Sequence, residues 1–179
     1  MAIKYNGTSV PETGTIKYNE TKLTKVIYNG TTVWTKDNNK YIFNNGTLNN
    51  AFEAVAVNGF DWGWGDTMST EGTITTSGST MKFTGNTSHY DSFFSKSSFD
   101  YTKYKSLKFT VTSAKDVQIG ATSDGKVVGY SGPFKQLSSV SSSTTYTVDL
   151  TGLTKNFKIA CCIKGKGSVT FTKIWLVPK

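Results

Sequence analysis

The stretch LKFTVT at residues 107–112 alternates apolar and polar side chains with a period of two. Successive side chains of a β-strand point to opposite faces of the sheet, so this pattern predicts a strand with one buried and one wet face. The same alternation recurs at residues 117–121, 145–150 and 157–164. No convincing helix connects these strands, since residues 49–57 have the best helical composition but are too few. The sequence therefore predicts an all-β fold, an antiparallel β-sandwich of the jelly-roll type.

The composition agrees with this fold class. The chain has 179 residues, of which 13% are aromatic and only 18% are charged, and Ser, Thr, Asn and Gly fill much of the remainder. This aromatic content argues against disorder, and abundant hydroxyl side chains are typical of solvent-facing strands and turns. The length suits one ordinary domain with an appendage.

The appendage is a repeated segment at the N-terminus. Three related stretches within residues 3–31 each consist of a short β-run that ends in Tyr-Asn and a turn. Asn29-Gly30 predicts a type I′ hairpin turn, because both central residues of that turn need positive φ. Hairpins this short bury little surface alone, so we expect them to pack on the following domain or on another subunit. We place this repeated β-hairpin attachment or oligomerisation segment at residues 1–38 and the jelly-roll β-sandwich at residues 39–179.

The charge of the chain is carried by lysine. The formal net charge is +8, and all 20 basic residues are lysines. Arginine supplies the planar fork that reads guanine and clamps phosphates, so its absence argues against a nucleic-acid partner. The even spread of the lysines is typical of a solvated coat that protects sheet edges, and attraction to an acidic surface such as a teichoic-acid-bearing wall is the alternative. No apolar run reaches the length of a membrane span, so no membrane partner is expected.

The two cysteines are neighbours, Cys161 and Cys162. Neighbouring residues of a strand point to opposite faces, so we expect two buried, unpaired thiols and no disulfide. His89 is the only histidine, which leaves no Cys/His set for zinc. The first residues, MAIKYN, lack the apolar core of a signal peptide, so a protein that acts outside the cell would leave by lysis or by a signal-less route.

Two parts of the chain resemble known families. Residues 27–34, IYNGTTVW, resemble the repeated segments near one end of tail and receptor-binding proteins from phages and prophages of gut Firmicutes. The remainder is similar to the galactose-binding-like jelly rolls of carbohydrate-binding modules, at residues 41–46, 104–109, 146–150 and 169–176. The resemblance implies a non-catalytic phage virion protein, from the tail or the receptor-binding apparatus, whose sandwich binds a bacterial surface glycan. It also implies a homo-oligomer that contacts other virion proteins, is made in the bacterial cytoplasm and acts outside it.

The most informative segment for ligand binding is NGFDWGWGD at residues 58–66. Glycines beside two tryptophans indicate an irregular loop, and an exposed indole ring offers a flat apolar surface to the C–H face of a sugar. We therefore expect Trp62 and Trp64 to stack on sugar rings, with Asp61 and Asp66 as partners for the sugar hydroxyls. In the alternative, both tryptophans pack into the sandwich.

Two further segments are candidates for the same site. His89-Tyr90-Asp91 follows a turn-rich stretch, and Tyr130 begins another loop that contains glycine and proline. Tyr90 and Tyr130 are predicted to stack on sugar rings, and His89 and Asp91 to contact hydroxyl groups. The alternative for His89 is a structural role, which is more common for a single histidine.

Cofactors and catalysis receive little support from the sequence. No cofactor is expected, apart from a structural calcium ion that Asp61, Asp66 and Glu71 could hold, although their spacing matches no EF-hand loop. The sequence contains no Gly-x-Ser-x-Gly elbow and no P-loop, and an acid–base pair would have to be Asp91 with Asp61, so no enzyme activity is expected. The alternatives to glycan binding are a weak glycan hydrolase and a structural virion protein, such as a capsid decoration, head fibre or tail-assembly protein that makes only protein–protein contacts.

Overall fold

The computed structural model describes residues 4–5, 8–9, 17–18, 20–55, 71–86, 90–123 and 132–179. The regular structure of these residues consists of β-strands. The chain divides into two compact units, Met1–Asn39 and Lys40–Lys179. Both units are built from short runs of β-branched and aromatic residues separated by turns, which are the residue types that favour strands.

The described residues of the first unit form three β-hairpins, each a separate two-stranded sheet. Asn29 and Gly30 have φ values of 46° and 75°, which confirms the predicted left-handed turn between the last two strands. The strands are β1 (Lys4–Tyr5), β2 (Thr8–Ser9), β3 (Lys17–Tyr18), β4 (Thr21–Lys22), β5 (Lys25–Tyr28) and β6 (Thr31–Thr35).

The second unit is an antiparallel β-sandwich, as the sequence predicts. Its strands are β7 (Lys40–Asn44), β8 (Thr47–Leu48), β9 (Phe52–Ala54), β10 (Thr73–Ser77), β11 (Thr80–Thr84), β12 (Tyr90–Ser95), β13 (Tyr104–Thr122), β14 (Phe134–Val140), β15 (Thr144–Asp149) and β16 (Lys158–Pro178). Strands β13 and β16 pair with each other from end to end apart from several register shifts, and the shorter strands add to their two outer sides.

The two long strands belong to both layers of the sandwich. One layer, which we name the front sheet, has the order β9–β12–β16–β13–β14 and uses residues 158–164 of β16 and 117–122 of β13. The other layer, the back sheet, joins β7, β10 and β11 to residues 168–178 of β16, and β15 to residues 104–111 of β13. The long strands therefore bend as they pass from one layer to the other.

The bend coincides with an interruption in the pairing of β13 with β16. Between the pairs Lys115–Ser168 and Val117–Ile163, the single residue Asp116 faces the four residues 164–167. We name this stretch, with the sequence KGKG, the lysine insert. Asp116 has a φ of 54°, and such left-handed residues are a common way for a bulge to redirect a strand.

A second interruption lies at Thr172. The pairing passes from Val111–Phe171 to Thr110–Lys173 and skips Thr172. The sequence predicts a bulge here, because the apolar positions change parity between Phe171 and Ile174. The structure confirms this bulge.

Alternating side chains fill the space between the two sheets. Leu107, Phe109 and Val111 are fully buried, as the pattern LKFTVT predicts. The ring of Phe83 on β11 in the back sheet lies 4.8 Å from the ring of Phe93 on β12 in the front sheet. Burial of one side chain of this size contributes about 1.5–3 kcal/mol, so aromatic packing of this kind holds the two sheets together.

Candidate functional site

A cavity of about 200 Å³ lies on the outer face of the front sheet. These outward side chains alternate along each strand with buried ones, as Gln118 does between the buried residues Val117 and Ile119. Strand pairing therefore brings residues that are distant in sequence onto one surface. The cavity is lined by Tyr90 from β12, Cys162 and Lys164 from β16, Asp116 and Gln118 from β13, and Gln136 from β14.

Small residues form the centre of this face. Phe94, Ala160, Gly120 and Phe134 are paired in succession across the sheet. A Cβ atom on Gly120 would lie 2.1 Å from the carbonyl oxygen of Pro133, so only glycine fits where the start of β14 approaches β13. Phe134 is 42% exposed, whereas Phe94 is buried. The exposed ring of Phe134 therefore stands at one end of a row whose other members are buried.

Two side-chain amides lie in the next row across the sheet. The Nε2 group of Gln118 donates a hydrogen bond to Oε1 of Gln136 at 2.7 Å. This bond orients both amides, and their other N–H groups and the carbonyl oxygen of Gln118 can bond a ligand. Groups that both donate and accept suit hydroxyl-rich ligands. We name the surface that comprises Tyr90, Gln118, Phe134, Gln136 and Cys162 the front groove.

The floor of the front groove contains a thiol. Cys161 and Cys162 are both free and buried, as their neighbouring positions predict. Cys161 points into the core between the sheets, and Cys162 packs with Phe94 and Ala160 on the other side. Burial, and then the charge of Asp91, raises the pKa of the Cys162 thiol to about 12. A thiol with this pKa is protonated near neutral pH and serves as an apolar floor group rather than a nucleophile.

The outermost strand of the front sheet is attached by polar contacts. The hydroxyl group of Ser92 donates a hydrogen bond to the carbonyl oxygen of Val55. The Nζ of Lys158 lies 3.8 Å from Oε1 of Glu53 on β9. An exposed ion pair of this kind contributes little stability, but it offsets the positive charge of Lys158 at this end of the groove.

Six of the eight side chains predicted to bind ligand lie outside the described residues, namely Asp61, Trp62, Trp64, Asp66, His89 and Tyr130. Of the other two, Tyr90 is half-buried in the front groove, where it is paired with Lys164. The described residues that border two of the predicted segments, Val55 and Tyr90, both lie on the front sheet.

The sequence predicts that Asp91 contacts sugar hydroxyls, but in the structure its side chain lies on the other side of the front sheet. It follows Tyr90 on the same strand, so its side chain points into the sandwich, where it is fully buried. Its Oδ1 accepts a hydrogen bond from the N–H of Gly72 at 2.9 Å, and its Oδ2 accepts one from the N–H of Asn86 at 2.8 Å. The carboxylate therefore connects β12 to the chain just before β10 and just after β11.

The predicted calcium ligands are only partly described. Glu71 is exposed, and Asp61 and Asp66 lie outside the described ranges, so the calcium site stays a prediction. Elsewhere in the described part of the chain, no group of three or more His, Cys, Asp or Glu side chains could hold a metal ion. Among the same residues, no helix has the length and hydropathy needed to cross a membrane.

Three residues that line the cavity, Gln118, Gln136 and Lys164, are not among the site residues that the sequence predicts. The outward position of Gln118 could have been predicted, because it alternates with the apolar residues Val117 and Ile119. The place of Gln136 beside it depends on the pairing of β13 with β14, which local periodicity does not determine. The sequence places Phe134 in the loop segment that begins at Tyr130, and its sequence neighbours do not show that its ring is exposed.

Comparison with known proteins relates the fold to carbohydrate-binding modules. A lysine-to-alanine mutant of CBM29-2, a family 29 carbohydrate-binding module, is similar with a TM-score of 0.51 and 15% identity, covering 79% of this chain and 92% of that chain. An aspartate-to-alanine mutant of the same module has a TM-score of 0.50 and 18% identity, covering 77% of this chain and 89% of that chain. The low-affinity xylan-binding module CBM86 from Roseburia intestinalis has a TM-score of 0.46 and 12% identity, covering 72% and 96% of the two chains.

These similarities concern the fold. No protein-family model matches the chain, and no curated protein matches it. With identities of 15% and 18%, the two family 29 structures show that the chain has a β-sandwich of the kind found in carbohydrate-binding modules. The resemblance of the N-terminal repeats to phage tail and receptor-binding proteins stays a prediction.

We expect Asp91→Asn to lower the free energy of unfolding by about 1–3 kcal/mol. Asparagine has only one side-chain oxygen, so its NH₂ group would face one of the two backbone N–H groups whose hydrogen bonds Asp91 now accepts, and that N–H would lose its acceptor. Chemical denaturation measures this change. The matched control is Asp149→Asn, since the exposed Asp149 accepts one hydrogen bond from the N–H of Thr151 at 2.9 Å, which asparagine can keep. Equal stability of Asp91→Asn and the wild type would contradict the structural role of Asp91.

Proposed function

We propose that the chain is a non-catalytic glycan-binding protein and that the front groove is its binding surface. The observation that carries this proposal is the exposed ring of Phe134 beside the hydrogen-bonded amides of Gln118 and Gln136. An aromatic ring contacts the apolar C–H face of a sugar, while oriented polar groups bond its hydroxyls. The front groove supplies both kinds of contact on a fold similar to that of carbohydrate-binding modules.

The width of the groove favours a chain of sugars over a single ring. Phe134 is on β14 and Tyr90 is on β12, with β13 and β16 between them. Neighbouring strands are about 4.8 Å apart, and Tyr90 lies four residues along β12 from Phe94, which is in the same row as Phe134. At about 3.3 Å per residue, the two residues are therefore separated diagonally by roughly 20 Å. Tyr90 keeps its predicted role as a second stacking residue in this proposal. An oligosaccharide that lies across the sheet could contact both rings.

The predicted contacts outside the described residues belong to the same proposal. The chain leaves the front sheet at Val55 before the segment that contains Trp62 and Trp64, and it returns to this sheet at Tyr90 directly after His89. These attachment points support a contribution of the two tryptophans to glycan binding, with Asp61, Asp66, His89 and Tyr130 as further polar or stacking contacts.

Binding without catalysis is supported by the distribution of carboxylates. A glycosidase needs two carboxyl groups about 5–9 Å apart that both reach the scissile bond. The described lining of the cavity includes one carboxylate, that of Asp116. Asp91 is turned into the sandwich, where two backbone N–H groups bond its oxygens.

The setting that we propose is the outside of a phage or phage-like particle, where the sandwich binds a bacterial surface glycan. The resemblance of residues 27–34 to tail and receptor-binding proteins supports this setting. The first unit is proposed to join other virion proteins or sister subunits, because isolated two-stranded hairpins are marginally stable in water. Ile27, on one of these hairpins, is 55% exposed and offers apolar surface for such a contact.

We expect Phe134→Ala to weaken polysaccharide binding about tenfold, or about 1.4 kcal/mol, because the variant removes the stacking ring from the groove. Affinity electrophoresis and titration calorimetry with soluble glucan, mannan, xylan and bacterial wall polysaccharide measure the effect. Leu48→Ala is the matched control, since Leu48 is an apolar residue of similar exposure (40%) on β8. Unchanged affinity of Phe134→Ala, or a wild-type chain that binds none of the polysaccharides, would refute the proposal.

The attachment role of the first unit is tested by oligomeric state. We expect the full chain to form an oligomer in light scattering, and Ile27→Asp to shift it toward monomer because a charge would be buried in an apolar contact. Leu48→Asp, which places the same charge at an exposed apolar position of the second unit, should leave the oligomer intact. A monomeric wild-type chain would contradict self-association, and an oligomer that binds no glycan would favour the structural virion role.

A further inference from the structure

A second cavity adjoins the front groove where β13 and β16 bend between the layers. Its volume is about 290 Å³, and it is lined by Lys115, Asp116 and the four residues of the lysine insert. Asp116 and Lys164 line both cavities. The two cavities are therefore adjacent, and the second lies at the Tyr90 end of the groove, since Tyr90 is paired with Lys164.

The backbone of the lysine insert is held by close contacts. The N–H of Gly85 donates a hydrogen bond to the carbonyl oxygen of Gly167 at 3.0 Å. A Cβ atom on Gly85 would lie 2.3 Å from the carbonyl oxygen of Gly165, and one on Gly167 would lie 2.4 Å from that of Lys115. These contacts leave no room for side chains and fix the insert against the end of β11 and against β13.

The insert therefore carries its two lysines on a fixed backbone. Asn86, next to Gly85, is in turn held by the buried carboxylate of Asp91 at 2.8 Å. An element held in this way loses little conformational freedom when a ligand binds, which favours affinity. When a ligand binds, only the side chains of the two lysines lose conformational freedom.

The charges around the second cavity are unbalanced. Lys115, Lys164 and Lys166 provide three ammonium groups against the single carboxylate of Asp116. Within the described ranges, none of these four side chains takes part in a salt bridge. Lys158, at the opposite end of β16 in the front sheet, is paired with Glu53. The positive charge is thus concentrated at one end of the groove.

We infer that the lysine insert and Lys115 form an anion subsite, which makes the protein prefer glycans that carry carboxylate or phosphate groups. This inference rests on the proposed function, because the neutral part of the glycan is held by the front groove. A lysine ammonium is a compact charge with three donors and suits an anionic oxygen without requiring the paired geometry that arginine gives.

The expected gain in affinity for an anionic glycan is modest, because the lysines are exposed to solvent. Exposed ion pairs contribute a few tenths to about 1 kcal/mol each, so loss of two lysines weakens binding of an acidic glycan about two- to thirtyfold, with about five- to tenfold in the middle of that range. The preference decreases as salt is added, since the Debye length falls from about 10 Å at 0.1 M to about 3 Å at 1 M ionic strength. Binding of the neutral glycan depends little on salt.

The test compares polygalacturonate with its fully methyl-esterified form, which has the same backbone without charge, on the full chain. A second arm uses a bacterial wall polysaccharide before and after removal of its phosphate groups. The wild type is compared with Lys115→Gln/Lys166→Gln, whose two lysines line the second cavity but not the first, and with the control Lys82→Gln/Lys105→Gln, which changes net charge equally through exposed lysines of the back sheet.

We expect the wild type and the control to bind at least one anionic probe five- to tenfold more tightly than its neutral counterpart. The Lys115→Gln/Lys166→Gln variant loses this preference and keeps its affinity for the neutral probe. The arm that shows the preference identifies the anion as carboxylate or phosphate. Equal loss in the control would assign the effect to net charge and overturn the subsite. Equal affinity of the wild type for charged and neutral probes overturns the subsite alone, whereas binding of no probe overturns the groove as well.

Discussion

The pairing of β13 with β16 is the constraint on which the rest of the second unit depends. These strands of 19 and 21 residues pair along their lengths and take part in both sheets. Because they are continuous, the interruption at Asp116 fixes at once where the strands bend, where the front groove ends and where the lysine insert lies. The outward residues of the groove and the inward residues of the core are alternate members of the same two strands, so neither set can shift without the other.

The buried aromatic residues make this constraint stable. Phe83 contacts the rings of Phe52 and Phe93 in the front sheet at 5.2 and 4.8 Å, and the ring of Phe171 at 5.3 Å. Asp91 adds hydrogen bonds at the end of the sheet where the insert lies. The groove therefore rests on a layer packed from behind, which positions Gln118, Gln136 and Phe134 before any ligand arrives.

The sequence predicts the core better than the site, for physical reasons. Period-two alternation identifies the inward residues Leu107, Phe109 and Val111, because burial on one face imposes that pattern directly. The same rule places Tyr90 and Asp91 on opposite sides of the sheet, since neighbours on a strand face opposite sides. It does not say which of the two faces the core, because one side chain is polar and the other is amphipathic. In the structure Asp91 is the buried one, because backbone N–H groups satisfy its carboxylate.

The site itself depends on contacts between distant parts of the chain. That Gln136 lies beside Gln118, or that KGKG is an insert within a strand rather than a turn between strands, follows from the register of pairing and not from local sequence. The tryptophan segment remains informative as a sequence feature, and the described structure adds that the chain enters it from the front sheet at Val55. The sheet face and the tryptophan segment that follows Val55 in the sequence are both part of the proposed glycan-binding surface.

The central claim is that glycan binds on the front groove, and NMR of the glutamine side-chain amides tests it most directly. Titration of the isotope-labelled full chain with oligosaccharides from the polysaccharide that it binds is predicted to shift the amide signals of Gln118 and Gln136, with small changes at Thr110 and Trp175 of the back sheet. Shifts confined to the back sheet or to the first unit, with both glutamine signals unchanged, would contradict the account.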